Sequence, residues 1–303
     1  MKNILITGGS GLVGTELSAL LKSKGYEVAH LTRSIKKNYP YQQFEWNIGK
    51  QQIDEKAFEF ADVIIHLAGA GVADKRWTEE RKKVIIESRT KSAQLLFDKI
   101  QANPEYAPKH LISASAIGYY GMNTGDKWVD EDSEVGNDFL ADVTKKWEAS
   151  VDQFEALNIP VAKIRIGIVL TDKGGALPQL AQPIKLFAGA PLGSGKQWMS
   201  WIHIDDLTRL FLHSLKNKLT GVYNGVGENP NTNKEVTRAV AKVLNKPLVL
   251  PNVPAFAMKL LLGEMAQMVL GGNKVSAKKT LQSGFEFKFE KLDEALEDIY
   301  KAS

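Results

Sequence analysis

Short apolar runs alternate with helix-like stretches through the first half of the chain. The strands that these runs predict lie at 3–7, 26–32, 61–69, 109–115 and 161–170. The main helical patterns lie between them, at about 15–22, 78–100 and 139–157, and residues 45–48 are expected in a loop after the second strand. Apolar runs with little alternation are typical of strands buried on both faces. This order predicts an α/β fold with a doubly wound parallel sheet, whose ligands bind at the carboxyl ends of the strands.

The second half of the chain is less regular, with turn-rich stretches between its periodic segments. A capping-box pattern at Thr232 and Glu235 predicts the start of one helix. Further elements are predicted from periodicity: a short strand at 223–227, an amphipathic helix at 256–270, a one-faced strand at 284–289 and a closing helix.

We therefore expect two lobes that share an interface. Residues 1–170 form the larger, nucleotide-binding domain, which segments around 200–245 complete. Residues 171–303 form mainly a smaller α+β lobe for the substrate, and about 250–303 form its C-terminal part.

The first predicted strand leads directly into a glycine-rich turn. Gly8, Gly11 and Gly14 are spaced so that the backbone can approach a pyrophosphate and the next helix can pack closely on the strand. The helix N-terminus presents free N–H groups to the phosphates. The sheet is therefore predicted to be of the Rossmann type. Its cofactor should be held by Gly8, Ser10, Gly11, Leu12, Val13 and Gly14.

The second predicted strand ends at Arg33 and Ser34. This is the place, about 20 residues past the glycines, where an NAD site usually carries Asp or Glu for the ribose 2′-OH. A guanidinium suits a 2′-phosphate by its charge and paired donors, and Ser34 adds a hydroxyl. The alternative is a solvated surface arginine. We predict NADP(H) rather than NAD(H).

Composition narrows the class of protein. The 303 residues are 44% hydrophobic and 24% charged, which is typical of a globular protein. The net charge of +4 comes from scattered Lys and Arg, so nucleic acid is not expected as a partner. Lys259 and Glu264 interrupt the most apolar stretch, which argues against a membrane span. The absence of cysteine excludes disulfides and thiolate zinc sites, and we expect a cytoplasmic location.

Several segments together resemble the extended short-chain dehydrogenases/reductases, which include the nucleoside-diphosphate-sugar epimerases. They are the glycine turn and residues 62–69, 113–121 and 201–206. Residues 73–77, 191–195 and the region from Val253 onward resemble an atypical branch, the "epimerase family" proteins, over essentially the whole chain. The resemblance implies an NADP(H)-dependent oxidoreductase or epimerase acting on a carbonyl or sugar-like small molecule. It also suggests a homodimer through helices of the Rossmann lobe.

The resemblance further implies a catalytic constellation, and one part of it is missing here. In the family a Ser at a strand end holds the substrate oxygen, a Tyr transfers the proton, and a Lys four residues later lowers the pKa of that Tyr. Ser115 matches the Ser, or is a structural hydroxyl at the strand end. Lys145 and Lys146 follow Ala141 and Asp142, so the Tyr-x-x-x-Lys pair is absent.

Three interpretations of this gap remain open. Tyr120 or Tyr119, on the turn after Ser115, supplies the proton, or else both rings only pack over the cofactor. Asp142 serves instead, unless it is an exposed helix-surface carboxylate. The third interpretation is a catalytically degenerate NADP(H)-binding sensor or scaffold. Our candidate catalytic residues are Ser115 and Tyr120.

The remaining candidates follow from the same resemblance. Asn47 and Ile48 are expected to flank the adenine, and the backbone of Leu67, Ala68 and Gly69 to line the cofactor. His66 is expected to be a hydrogen-bonded core histidine.

Two charged groups are further candidate sites. The resemblance implies that His203, Asp205 and Asp206 form a structural turn into a helix, where Asp caps well, so no metal is expected. The segment 74–77, with Arg81 and Arg89, either clamps an anionic substrate with Trp77 as a lid or is a solvated helix start.

Overall fold

The computed structural model describes residues 1–301. Its strands are β1 (Asn3–Thr7), β2 (Glu27–Thr32), β3 (Gln42–Asn47), β4 (Gln52–Ile53), β5 (Val63–His66), β6 (His110–Ala116), β7 (Trp128–Val129), β8 (Val161–Ile166), β9 (Ile168–Leu170), β10 (Trp198–Met199), β11 (Trp201–His203), β12 (Gly221–Gly225), β13 (Asn231–Thr232) and β14 (Lys274–Val275).

The α-helices are α1 (Leu12–Ser23), α2 (Lys56–Phe60), α3 (Glu79–Ala102), α4 (Phe139–Asp152), α5 (Ala176–Lys185), α6 (Ile204–Asn217), α7 (Asn233–Val243), α8 (Ala255–Leu262), α9 (Ala266–Leu270), α10 (Lys278–Gln282) and α11 (Leu292–Lys301). Short 3-10 helices lie at Pro104–Tyr106, Ile117–Tyr120, Gln153–Leu157 and Gly263–Met265. None of the helices within residues 1–301 is both long enough and apolar enough to cross a membrane.

One large sheet organises the first lobe, in the strand order β12-β8-β6-β5-β1-β2-β3-β4. Neighbouring strands of this sheet run parallel, except that β4 is antiparallel to β3. The chain winds outward in one direction from β1 through β2 and in the other from β5 through β6. A crevice therefore opens at the carboxyl ends of β1 and β5, where ligands bind in such sheets. The predicted α/β fold of the Rossmann type is confirmed.

The core of this lobe lies on both faces of the sheet. Ile4, Leu5 and Ile6 of β1 have no exposed surface, although successive side chains of a strand point to opposite faces. Helix α1 packs with α6, and α3 packs with α4. The long apolar runs of the sequence are the consequence of this double cover.

The second lobe has a hydrophobic cluster of its own. Its buried residues come mainly from α5, α7 and α11, including Leu177, Val236, Val240 and Leu296. The capping box predicted at Thr232 is present, since its hydroxyl accepts from the Glu235 N–H and the Glu235 carboxylate accepts from the Thr232 N–H. The exact limits of the two lobes stay a prediction.

The prediction of one continuous strand at 161–170 is wrong, because Gly167 divides this segment into β8 and β9. The second half leaves the large sheet and pairs with β11. A Cβ at Gly167 would lie 2.4 Å from the Ser200 carbonyl oxygen, so only glycine permits this close crossing. The crossing carries the chain from one lobe into the other.

Two other predictions need correction. Residues 45–48 were expected in a loop, but Glu45, Trp46 and Asn47 belong to β3, in which Phe44 and Trp46 point into the core. The helix predicted at 256–270 is divided, because Gly263 adopts a φ of +60° between α8 and α9.

The one-faced strand predicted at 284–289 is also wrong. Phe285 and Phe289 are buried as the alternation suggests. The backbone N–H groups of Lys288 and Phe289, however, donate to the buried Asp206 carboxylate at 2.8 and 2.9 Å. A side chain thus replaces the partner strand, which periodicity cannot reveal.

Candidate functional site

The glycine turn after β1 is closed tightly against its surroundings. The Gly11 N–H donates to the Gly8 carbonyl at 3.0 Å. Gly8 has a φ of +71°, and a Cβ there would lie 2.9 Å from the backbone of Leu67. A Cβ at Gly14 would lie 2.4 Å from the Gly8 carbonyl oxygen. Helix α1 therefore approaches β1 closely, as the spacing predicts.

The N-terminus of α1 is free to receive an anion. Gly11 is its N-cap and supplies no side-chain cap, and the first intrahelical bond runs from the Thr15 N–H to the Gly11 carbonyl at 2.9 Å. The N–H groups of Leu12, Val13 and Gly14 accordingly have no partner within the helix. With the helix dipole, they suit a pyrophosphate.

The end of β5 is held beside this turn by a buried hydroxyl. Thr7 Oγ1 accepts from the N–H groups of Leu67 and Ala68 at 3.1 Å each, so its own proton goes to His66 Nδ1 at 2.8 Å. Burial lowers the pKa of His66 to about 4. Nε2, which then carries the ring proton, is 3.3 Å from Ser92 Oγ. His66 is thus the core histidine that the sequence predicted, and through Thr7 it orients the backbone of Leu67 and Ala68.

Arg33 and Ser34 follow β2 at the same edge of the sheet. Both are exposed, and within residues 1–301 Arg33 makes neither an ion pair nor a hydrogen bond. Thr32 Oγ1 donates to the Ser34 carbonyl at 2.9 Å, which shapes the turn. The free guanidinium suits the 2′-phosphate of NADP(H) by charge, and the preceding residue, Thr32, lines a cleft together with Ser10 of the glycine turn.

Sequence reasoning missed the position of a second cation, Lys36. Lys36 lines this cleft together with Ser10 and Thr32. Two hydrogen bonds with the Gln43 amide, of 3.0 and 2.8 Å, fix the backbone of Lys36 there. The pair Lys36-Lys37 was visible in the sequence as a basic cluster, but nothing local placed it at the glycine turn.

His30 is another residue that sequence reasoning missed. Its ring lies under the turn, since a Cβ at Gly9 would come within 2.5 Å of it. Ser18 Oγ and Tyr39 OH hold the two ring nitrogens at 2.8 and 2.9 Å. The ring supports the turn from below.

Asn47 and Ile48 lie at the carboxyl end of β3. Asn47 is two residues beyond Glu45, which pairs in register with Thr32 of β2. Its side-chain oxygen accepts from the Lys50 N–H at 3.0 Å. Both residues thus share the sheet edge with Arg33, where the adenine was expected.

Ser115 stands in a row of polar residues across three strands. It pairs in register with Arg165 of β8, and Arg165 pairs with Asn224 of β12. Ser115 is 2% exposed, and its hydroxyl donates to Glu148 Oε1 at 2.5 Å. Its single proton is therefore committed to a carboxylate of α4.

Glu148 and Arg165 form a buried bidentate ion pair. Arg165 Nε is 2.8 Å from Glu148 Oε1, and Nη2 is 2.9 Å from Oε2. Burial disfavours the guanidinium charge, but the hydrogen bonds to Glu148 outweigh it and raise the pKa of Arg165. The pair fixes α4 against the carboxyl end of the sheet.

The two tyrosines after Ser115 differ in their surroundings. Tyr120 is 4% exposed; its hydroxyl donates to Asn224 Oδ1 at 2.7 Å and accepts from Arg165 Nη1 at 3.1 Å. Burial raises the pKa of Tyr120 to about 12. Tyr119 is half-buried with its ring 3.4 Å from the Arg165 guanidinium, and its hydroxyl has no hydrogen-bond partner in the described part of the chain.

The face of α4 that meets this turn carries no substitute for the Tyr–Lys pair. A Cβ on Gly118 would lie 3.3 Å from Leu140 and 3.4 Å from Thr144, and the next turn of α4 brings Glu148 to Ser115. Asp142 is on the exposed side, in an ion pair with Lys146 at 2.7 Å. Of the two interpretations of Asp142, proton donor or exposed helix-surface carboxylate, its position fits the second.

The loop after β5 contains Trp77, one candidate for a lid over an anionic substrate. Trp77 Nε1 donates to the Val72 carbonyl at 2.8 Å, and its ring meets the Phe139 ring edge-on at 4.8 Å. The indole is therefore packed against the start of α4, and its role as a lid over an anionic substrate stays a prediction. Arg81 and Arg89 reach back to this loop from α3.

The turn at His203 caps α6, since Nδ1 accepts from the Asp205 N–H at 3.2 Å. Nε2 lies 3.6 Å from the Asp298 carboxylate and makes no hydrogen bond in the part of the chain that the structure describes. Lys288 lies 3.4 and 3.7 Å from the carboxylates of Asp205 and Asp298. These contacts fit the structural role that the sequence predicted.

Comparison with known proteins gives two family matches. Residues 4–141 match the NAD dependent epimerase/dehydratase family, and residues 253–299 match a domain of unknown function. A chloroplastic "Epimerase family protein SDR39U1 homolog" of Arabidopsis thaliana is 38% identical, covering 98% of this chain and 86% of that protein. An epimerase family protein of Staphylococcus aureus is 37% identical, covering 99% of both chains.

Solved structures agree with these matches. The human epimerase family protein SDR39U1, crystallised with NADPH, is 30% identical with a TM-score of 0.87 and complete coverage of both chains. A nucleoside-diphosphate sugar epimerase from Corynebacterium glutamicum is 30% identical with a TM-score of 0.79; the match covers all of this chain and 59% of that one. The UDP-glucose 4-epimerase of Thermus thermophilus with NAD, 19% identical with a TM-score of 0.74, shares the fold.

Proposed function

The chain belongs to the epimerase family proteins, with an NAD dependent epimerase domain and a C-terminal domain of unknown function, and on this premise we propose that it is an NADP(H)-dependent oxidoreductase or epimerase. Its substrate is a small carbonyl or sugar-like compound bound at the carboxyl edge of the sheet. The homodimer suggested by the resemblance is part of the same proposal and stays untested.

The observation that carries the cofactor assignment is the free guanidinium of Arg33 at the end of β2. Lys36 lines the neighbouring cleft, and no carboxylate follows β2 to take a ribose 2′-OH. A doubly negative 2′-phosphate would gain two cationic partners here, whereas a 2′-hydroxyl would gain little. The human relative was crystallised with NADPH, which supports the same choice.

NADP(H), when bound, supplies or accepts a hydride. The protein's own contribution starts at Ser115, whose proton is committed to Glu148. Only the lone pairs of Ser115 are left for a ligand, so the hydroxyl is suited to accept from an alcohol O–H of the substrate. The Tyr119 hydroxyl is the second group with free hydrogen-bonding capacity on this turn, and we assign it the contact that Tyr120, bonded to Asn224, does not offer.

A second function is favoured by the face of α4. Leu140 and Thr144 meet the turn after Ser115 at the spacing where a Tyr–Lys pair would act. A protein with these residues binds the cofactor without a phenol activated by a neighbouring cation. An NADP(H)-binding sensor or scaffold is therefore the alternative to the enzyme.

The cofactor assignment is tested by titrating NADPH and NADH into the wild type and Arg33→Ala. A charge-assisted contact contributes about 1.5–3 kcal/mol, so the variant should bind NADPH roughly 10–100-fold more weakly and NADH almost unchanged. Lys24→Ala removes an equal charge at the far end of α1 and should change neither affinity. Equal affinity of the wild type for both cofactors, or an unchanged NADPH affinity in Arg33→Ala, would contradict the assignment.

Activity is tested with the same protein on panels of alcohols, aldehydes, ketones and nucleotide sugars, by following NADPH absorbance and sugar epimerisation. Turnover that is lost in Ser115→Ala and reduced in Tyr119→Phe supports the enzyme. Tight NADPH binding without turnover on any compound of the panel supports the sensor or scaffold.

A further inference from the structure

Arg89 of α3 is a buried cation without an anionic partner. It is 9% exposed, yet among the residues that the structure describes no carboxylate forms an ion pair with it. Arg165, which is also buried, has the bidentate partner Glu148. A buried charge that lacks a counterion is costly, so an unpaired one calls for an explanation.

The hydrogen bonds of Arg89 use only part of its donor capacity. Nη1 donates to the carbonyls of Ala70 and Ile85 at 3.0 and 2.9 Å. Nε is enclosed and has no partner, and Nη2, which makes no hydrogen bond within residues 1–301, retains some contact with solvent. The face of the guanidinium lies 4.9 Å from the centre of the Trp147 ring, which fixes its plane.

A second guanidinium approaches the same loop. Arg81 Nη2 donates to the carbonyl of Gly71, next to the carbonyl that Arg89 uses, and lies 3.3 Å from Asp74 Oδ2. Its Nε is also enclosed and without a partner. Burial and the like charge of Arg81 lower the pKa of Arg89 to about 10, although the negative charge of Asp74 opposes them. An anion between the two groups would relieve both effects.

The position of this pair links it to the site. A Cβ on Gly69 would lie 3.0 Å from Arg89 Cζ, so the guanidinium lies directly against the backbone that follows β5. Trp147, on which it stacks, precedes Glu148, the acceptor of the Ser115 hydroxyl. Arg89 therefore contacts both the backbone expected to line the cofactor and the residue of α4 that precedes Glu148.

We propose that Arg89, with Arg81, forms an anion-binding subsite that holds a carboxylate or phosphate group of the small-molecule substrate. This inference rests on the proposed function and narrows its substrate class to anionic carbonyl or hydroxy compounds. A planar guanidinium matches either anion, and Nη2, which keeps contact with solvent, is the donor that such a group can reach. The phosphates of the cofactor share this chemistry, and the experiment separates the two sources.

The test is calorimetric titration of inorganic phosphate, and separately of acetate, into the full-length protein saturated with NADPH. We expect saturable phosphate binding, at least 10-fold weaker in Arg89→Gln and intermediate in Arg89→Lys, which keeps the charge but not the fork. Arg81→Gln should also weaken phosphate binding, and it keeps the test valid if Arg89→Gln fails to fold. Lys83→Gln, an equal charge change at an exposed position of α3, should bind phosphate as the wild type does.

The outcomes separate this inference from the proposed function. Failure to bind NADPH contradicts the proposed function, and phosphate titration of the cofactor-free protein then still tests the arginines. Normal NADPH binding without saturable phosphate or acetate binding overturns the substrate subsite alone. Phosphate binding that NADPH abolishes by competition also overturns it, because the anion then belongs to the cofactor. Unchanged phosphate affinity in Arg89→Gln or Arg81→Gln shows that the phosphate binds elsewhere.

Discussion

Replacing Glu148 by glutamine should destabilise the protein far more than the same chemical change at Asp142 on the same helix. Both carboxylates accept from a cation, but their surroundings differ. The side chains of Arg165 and Glu148 are 3% and 7% exposed, whereas those of Lys146 and Asp142 are 51% and 47% exposed. The two variants therefore compare a buried with a solvated ion pair in one helix.

The expected magnitudes follow from these contacts. Glu148→Gln leaves the Arg165 guanidinium buried with a neutral acceptor, and it weakens the 2.5 Å hydrogen bond from Ser115. Removing one partner of a buried pair costs about 3–5 kcal/mol, and the retained amide oxygen places this change near about 3 kcal/mol. Asp142→Asn removes an exposed helical pair, which contributes about 0–1 kcal/mol.

The free energy of unfolding is measured by urea denaturation of the two variants and the wild type. Tryptophan fluorescence is a suitable signal, because Trp147 directly precedes Glu148 in α4. If the two variants lose similar free energy, or if Glu148→Gln loses less than about 1 kcal/mol, the ion pair does not fix α4 as the geometry indicates.

Two further predictions concern the pH dependence of stability at His66 and the hydrogen exchange of the segment that Asp206 holds. Burial lowers the pKa of His66 from 6.5 to about 4, so the unfolded chain takes up the additional proton between these pH values. The contribution of His66 to the free energy of unfolding is then complete above pH 6.5 and falls by up to about 1.4 kcal/mol per pH unit as the pH drops towards 4. Urea denaturation of His66→Gln should therefore show a flatter pH dependence than the wild type. An equal slope would refute this. Asp206→Asn should speed hydrogen exchange at the N–H groups of Lys288 and Phe289, which donate to this carboxylate, while Asp205→Asn should not. Equal exchange in both variants would show that Asp206 does not hold the segment.

Much of the fold was readable from the sequence because its signals are local. Each buried parallel strand needs an apolar run of its own, and each helix carries its own cap and periodicity. The signal of the glycine turn is equally local, since the close approach of the backbone leaves no room for a Cβ at positions 8 and 14. The failures at Gly167 and 284–289 come from contacts with Ser200 and Asp206, which are distant in the chain.

The site was predictable where a segment acts through its own backbone or charge, as at the N-terminus of α1 and at Arg33. Lys36 and His30 were missed because their roles depend on the approach of β2 and the following loop to Gly9 and Ser10. The absence of a Tyr–Lys pair was visible in the sequence. Only the structure showed that Leu140 and Thr144 fill the corresponding face.

The sequence by itself determined the Rossmann-type sheet and the glycine turn, because both follow from residues adjacent in the chain. The tertiary structure decided how the functional groups of distant segments are engaged. It gives the Ser115 proton to Glu148, binds Tyr120 to Asn224, and leaves Arg89 buried without a counterion. The physical reason is that hydrogen bonding and desolvation depend on which groups meet in space. The order of residues along the chain does not show which distant groups meet.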